Sequence, residues 1–234
     1  MRTKKAFSLI ELLMVVGIIS LLASILLPSL SQAKEMSRKI LCQVNLGNIY
    51  KAIEMYRSNY NDIYPARQDP VSTSPFYWTW MGRGMRDVMA DELAMHAGIS
   101  GAHSVMLCPA DPAAKTTYDA TSYAYSMSFY HSLKQINDMV DKVYSYTCQS
   151  EYPTIVQNGN ALTYTSKKIL SGEWNGNHDD FASDNGWWSD YGARNFVFAD
   201  GSVRFLRAGE MHTANDGYPD PNLTTDGISG QDVD

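Results

Sequence analysis

Glu11 is the only charged residue in the apolar run 7–27. A carboxylate there costs on the order of 3 kcal/mol if the segment enters lipid, and persists only with a partner or a task. Phe7 lies four residues earlier, and a cut between Ala6 and Phe7 would leave an α-amino group at the head of this segment. That amine, on the same chain or an adjoining copy, is a natural counter-ion for Glu11. Association inside lipid would then satisfy a charge that a lone chain leaves unpaired. Such an assembly device needs Phe7 as the new terminus and Glu11 as an acid.

The remaining reactive residue types are scattered. Cys42, Cys108 and Cys148 show no CxxC spacing. Outside the cytoplasm they would allow one disulfide and leave one thiol over, and their spacing leaves the pairing open. A bond from Cys42 to Cys108 would staple the first long helix to the following domain. His96, His103, His131, His178 and His212 form no HExxH. The best metal-binding run, residues 177–180 (Asn-His-Asp-Asp), reads more simply as a polar surface loop, so no metal site is expected there. No GxSxG, P-loop or GxGxxG occurs, so no enzyme is expected and no catalytic residue is assigned. The aromatic runs 76–80 and 187–188 would suit carbohydrate stacking or subunit contacts, though core packing is the plainer reading.

These groups must be positioned by the first 61 residues and a domain behind them. Residues 7–27 would make a helix about 31 Å long, close to the thickness of a bilayer core. Arg2, Lys4 and Lys5 ahead of it favour a cytoplasmic N-terminus and an extracytoplasmic remainder, an asymmetry weakened by Lys34, Arg38 and Lys39. Pro28 should kink the helix. An amphipathic half, 28–61, follows, with Cys42, Leu46, Ile49, Ile53, Tyr56 and Tyr60 on one stripe. A competing reading as a secretory signal rests on Ser31-Gln32-Ala33. The length of the apolar run and its internal acid argue against that.

Residues 62–234 read as one mixed α+β headpiece. A short helix is expected at 86–95, and strands at 122–130 and 160–170. Asp200-Gly201 favours a two-residue type I′ hairpin, pairing Phe198 with Val203 and Phe196 with Phe205. The expected fold is thus a long N-terminal helix packed on a small antiparallel sheet with long loops. Hydrophobic content of 44%, charged content of 19% and a net charge of −6 fit a globular domain and give no basic cluster for nucleic acid.

The run Lys4-Lys5-Ala6-Phe7-Ser8-Leu9-Ile10-Glu11 resembles the prepilin cleavage and methylation signature of type IV pilin-like proteins and type II secretion pseudopilins. The family more often has Gly where Ala6 stands. Asn195, Phe198, Asp200 and Gly201 resemble a C-terminal processing-associated segment of the same group, with Asp190 in place of its His. Cys42-x-x-Asn45-Leu46, residues 107–111 and residues 122–125 are similar to further blocks of that group. The resemblance implies a leader 1–6 removed by a prepilin peptidase and methylation of Phe7. It also implies a single pass through the bacterial inner membrane with the headpiece outside, and growth of a pilus or pseudopilus filament from copies or related pilins with inner-membrane assembly machinery. No cofactor is implied except calcium, which some pseudopilins bind in a C-terminal loop. Asp216, Asp220 and Asp226 are the candidates, although such tails are ordinarily solvated and mobile. A membrane-tethered binding domain, carbohydrate being the candidate ligand, is the competing function.

Overall fold

A computed structural model of the chain describes residues 8–66, 105–111, 122–139, 154–173, 175–179, 187 and 189–234. The chain divides into two compact units, Met1–Arg38 and Lys39–Asp234. Helix α1, Leu9–Asn59, contributes to both.

In the first unit, the large apolar side chains of α1 from Leu9 to Leu30 are exposed. Two of its three interior serines are satisfied locally: Ser24 and Ser29 donate their hydroxyls to the carbonyls of Leu21 and Leu26, at 2.7 and 2.9 Å. Such back-bonding keeps these two hydroxyls from needing water, as a lipid environment favours. The helix continues through Pro28, which has no N–H to offer the preceding turn.

In the second unit, Cys42, Leu46, Ile49, Ala52 and Ile53 of α1 are buried in one core with the sheet. Spacings of three and four put them on a single face. Tyr56 is half-buried and stacks on the exposed Tyr60 at a ring separation of 4.3 Å. After Asn59 the chain turns through Asn61 and Asp62, both at positive φ, and Arg57 pairs with Glu54 and Asp62.

Four strands form an antiparallel sheet in chain order: β1, Tyr123–Tyr125; β2, Ile169–Glu173; β3, Ala193–Phe198; β4, Val203–Arg207. The fold is α+β, a long helix and a small antiparallel sheet. Helix α2, Leu133–Asp138, begins in a capping box between Ser132 and Gln135.

Three local expectations need correction. The β3–β4 connection is a three-residue loop, Ala199-Asp200-Gly201, and not a type I′ turn: only Gly201 has positive φ (84°), and Val197 faces Val203 while Phe196 faces Arg204. The Asp200 carboxylate accepts the Ser202 N–H at 2.8 Å, and the Gly201 N–H reaches the Phe198 carbonyl at 2.9 Å. These bonds hold Asp200 right-handed, so the register moves by one residue and every facing pair changes. Strand β1 covers only three residues, because Ser126 caps a 3-10 turn at Met127–Phe129. Most of 160–170 is likewise turn, with β2 starting only at Ile169. The helix expected at 86–95 and the aromatic run 76–80 lie outside the described residues.

The C-terminal segment is not a solvated tail. Leu223, Ile228 and Val233 are buried, and the Asp232 N–H and carbonyl bond Lys167 and His212 at 2.9 and 2.7 Å. The Asp232 carboxylate also accepts the Ile169 N–H at 2.6 Å, tying the chain end to the start of β2. Its partner is Lys168, fully buried, with Nζ 3.2 Å from the carboxylate and beside Ser128 and Thr224. Burial pushes the Lys168 ammonium down from its ordinary range, and Asp232 pulls it back up.

Candidate functional site

At the N-terminus, Ser8 and Glu11 bracket the first turn of α1. The Glu11 carboxylate accepts the Ser8 N–H at 2.9 Å, and the Ser8 hydroxyl accepts the Glu11 N–H at 3.3 Å. This is a capping box, Ser-x-x-Glu, satisfying two otherwise orphaned donors. Glu11 therefore has a local task in one chain besides any pairing between chains, which charge and position alone did not suggest. Ala6 and Phe7 lie outside the described residues.

In the headpiece, α1 runs along the β3–β4 hairpin. Lys39 Nζ lies 3.0 Å above the Phe205 ring, Gln43 donates to the Asn195 side-chain oxygen at 2.9 Å, and Tyr50 packs on Gly201. A Cβ at Gly201 would fall 2.6 Å from the Tyr50 ring, so close approach as well as its φ demands glycine. Asn195 is buried and central. It answers Gln43 on one side, and on the other gives its backbone N–H and side-chain amide to Glu173 Oε2 at 2.8 and 2.9 Å. Its neighbour Arg194 is buried on β3, and burial lowers its guanidinium to about 10 against the pull of Glu173, Asp220 and Asp179.

Beside this lies a cluster that sequence spacing could not reveal. Cys42 on α1 and Cys108 on loop 105–111 form a disulfide, with Cα atoms 5.4 Å apart. Asn45, one turn beyond Cys42, donates to the Leu107 carbonyl at 3.0 Å, and the Ser122 hydroxyl accepts the Cys108 N–H at 2.9 Å. His178 Nε2 stands 3.3 Å from Cys108 Sγ and 3.0 Å from Glu173 Oε1. The side chains of His178 and Glu173 are sealed from solvent. His178 was visible as a metal-capable residue in its own run, but its neighbours come from α1, a loop and β2.

The aspartates of the C-terminal segment divide. Asp220 is buried beside Asp216, and burial together with that charge raises its carboxyl to about 8. Asp226 instead meets Asn137, whose side chain accepts the Asp226 N–H at 3.0 Å. Among the described residues, Asp216, Asp220 and Asp226 do not converge as one ligand group. Of the histidines, His131 is buried and lowered to about 4 by desolvation, and His212 sits 2.9 Å from Asp234. His96 and His103 lie outside the described residues, as does Cys148. Asp190, where the related segment has His, is exposed. Trp187 is buried and donates to the Glu173 carbonyl at 2.7 Å, a core role, while Trp188 is outside the described residues.

Residues 1–27 match the family model described as the prokaryotic N-terminal methylation motif. Over 68 residues the chain is 38% identical to the type IV wide pilus major component PilA4 of Thermus thermophilus, covering 29% of this chain and 51% of that protein. The chain thus spans about half the length of this curated relative. No solved structure matches. With the long apolar helix and the four-stranded antiparallel sheet, these matches support a type IV pilin-like protein carrying a prepilin N-methylation motif.

Proposed function

We propose that this chain is a filament subunit. A prepilin peptidase removes residues 1–6 and methylates the amine of Phe7. The α1 segment up to Leu27 holds the chain in the inner membrane with the headpiece outside, and assembly machinery moves copies, or copies with related pilins, into a filament. The similarity to a wide-pilus major component favours a pilus over a secretion pseudopilus. The headpiece has a structural part, not a catalytic one.

The observation that carries this reading is the first unit of α1. Its large apolar side chains from Leu12 to Leu30 are exposed, preceded by a single acid at Glu11 and overlapped by the methylation motif. A helix this apolar and exposed needs lipid or other helices around it. Mass spectrometry of the membrane-extracted protein tests the processing step. A mature chain starting at methylated Phe7 supports it, and a chain starting at Lys34 overturns it in favour of a secretory signal.

A further inference from the structure

We propose that, when Cys42 and Cys108 are dithiol, their two sulfurs together with His178 Nε2 and Glu173 Oε1 bind one zinc-class divalent cation. The four ligand atoms all lie within 4.8 Å of one another. Around a tetrahedral ion with bonds of about 2.0–2.3 Å, ligand atoms stand roughly 3.3–3.8 Å apart. The Cys108–His178 and His178–Glu173 separations, 3.3 and 3.0 Å, are already close to such edges.

A disulfide accounts for the two sulfurs being neighbours. It gives no reason for an imidazole nitrogen and a buried carboxylate to converge on the same point. Glu173 spends Oε2 on Asn195, while Oε1 accepts no hydrogen bond of good geometry and faces the His178 ring. A sealed carboxylate oxygen calls for a cation. Two thiolates, one imidazole and one carboxylate are a soft set that selects zinc over calcium or magnesium. With a divalent ion the site carries a net charge of −1, and Lys39 and Arg194, both within the field of Glu173, offset it. The ligands are braced from outside by Asn45, Ser122 and Asn195, as metal ligands require.

Metal and disulfide are alternative staples between α1 and the headpiece loop. Closing the bond takes two electrons from the two thiolates, passes them to a protein disulfide oxidant, joins Sγ to Sγ and releases the cation. A dithiol reductant reverses the step.

The test uses the full chain in detergent with Cys148→Ser, reduced by a phosphine, desalted without oxygen and titrated with Co2+. We expect one Co2+ per chain with a thiolate-to-cobalt charge-transfer band and the strong visible bands of a tetrahedral site. Zn2+ should displace it, and the oxidised chain should show none of it. His178→Gln and Glu173→Gln, each first shown to melt like the wild type in the oxidised chain, should each weaken binding to the reduced chain by more than about 10-fold. Absence of the charge-transfer band in the reduced chain, or unchanged affinity in both variants, overturns the proposal.

Discussion

Between Leu9 and Leu30 a single carboxylate accompanies a helix whose large apolar side chains are exposed, whereas in Lys39–Asp234 ammonium and carboxylate groups are sealed inside the core. The first arrangement is open in one chain: its large apolar side chains are exposed, and its acid answers the Ser8 N–H at the helix end. The second is closed upon itself, with Lys168 answered by Asp232 and Glu173 by Asn195. On the proposed reading, contacts with other copies fall to the first segment, and stability to the second.

The largest expected effect lies in the closed region. Asp232→Ala strands the buried Lys168 ammonium, and should cost about 3–5 kcal/mol in headpiece unfolding. Replacing both groups together, as Lys168→Met with Asp232→Leu, should recover part of that loss, which a double-mutant cycle in denaturant measures. Next, Leu46→Ala should cost roughly 2–5 kcal/mol by opening a cavity under the sheet. The same change at the exposed Leu22 should leave headpiece melting unaltered. Equal effects at the two leucines would erase the contrast between the regions.

Gly201→Ala combines an unfavourable φ with a clash against Tyr50, and should cost about 1–3 kcal/mol. Adding Tyr50→Ala should relieve only the clash. The last effect concerns pH. Asp220 holds its proton in the fold up to about pH 8, against 3.8 as its ordinary value. Between those values the folded chain binds the extra proton. Its contribution to stability is therefore full below about pH 4 and lost as pH rises toward 8. Asp220→Asn should flatten that slope in melting temperatures measured across the range.

The same contrast explains what could be read from residues alone. Glu11, the apolar run and the α1 stripe are local patterns of one element, so spacing was enough to expose them. The cluster of Cys42, Cys108, Glu173 and His178 joins positions up to 136 apart in the chain, and no periodicity connects them. Lys168 and Asp232 were hidden for the same reason, with Asp232 looking like part of a polar tail. The hairpin was visible as an element but not in register, because Asp-Gly fits both a two-residue and a three-residue loop. Tyr50 and the Asp200–Ser202 hydrogen bond accompany the three-residue form, and both lie outside dipeptide statistics. The capping box is legible as Ser-x-x-Glu, a local pattern that a lone acid in an apolar run overshadows by its charge.

The capping bond and the proposed pairing of Glu11 set the decisive measurement. Glu11→Gln keeps the capping geometry and removes the charge, while Glu11→Ala removes both. If Glu11 pairs with the amine of an adjoining Phe7, both variants should insert into the membrane normally and both should lose most filament yield, measured against wild type by quantifying sheared filaments. Wild-type yield from Glu11→Gln, with loss only in Glu11→Ala, would show that the side chain serves the helix end and not the contact between copies.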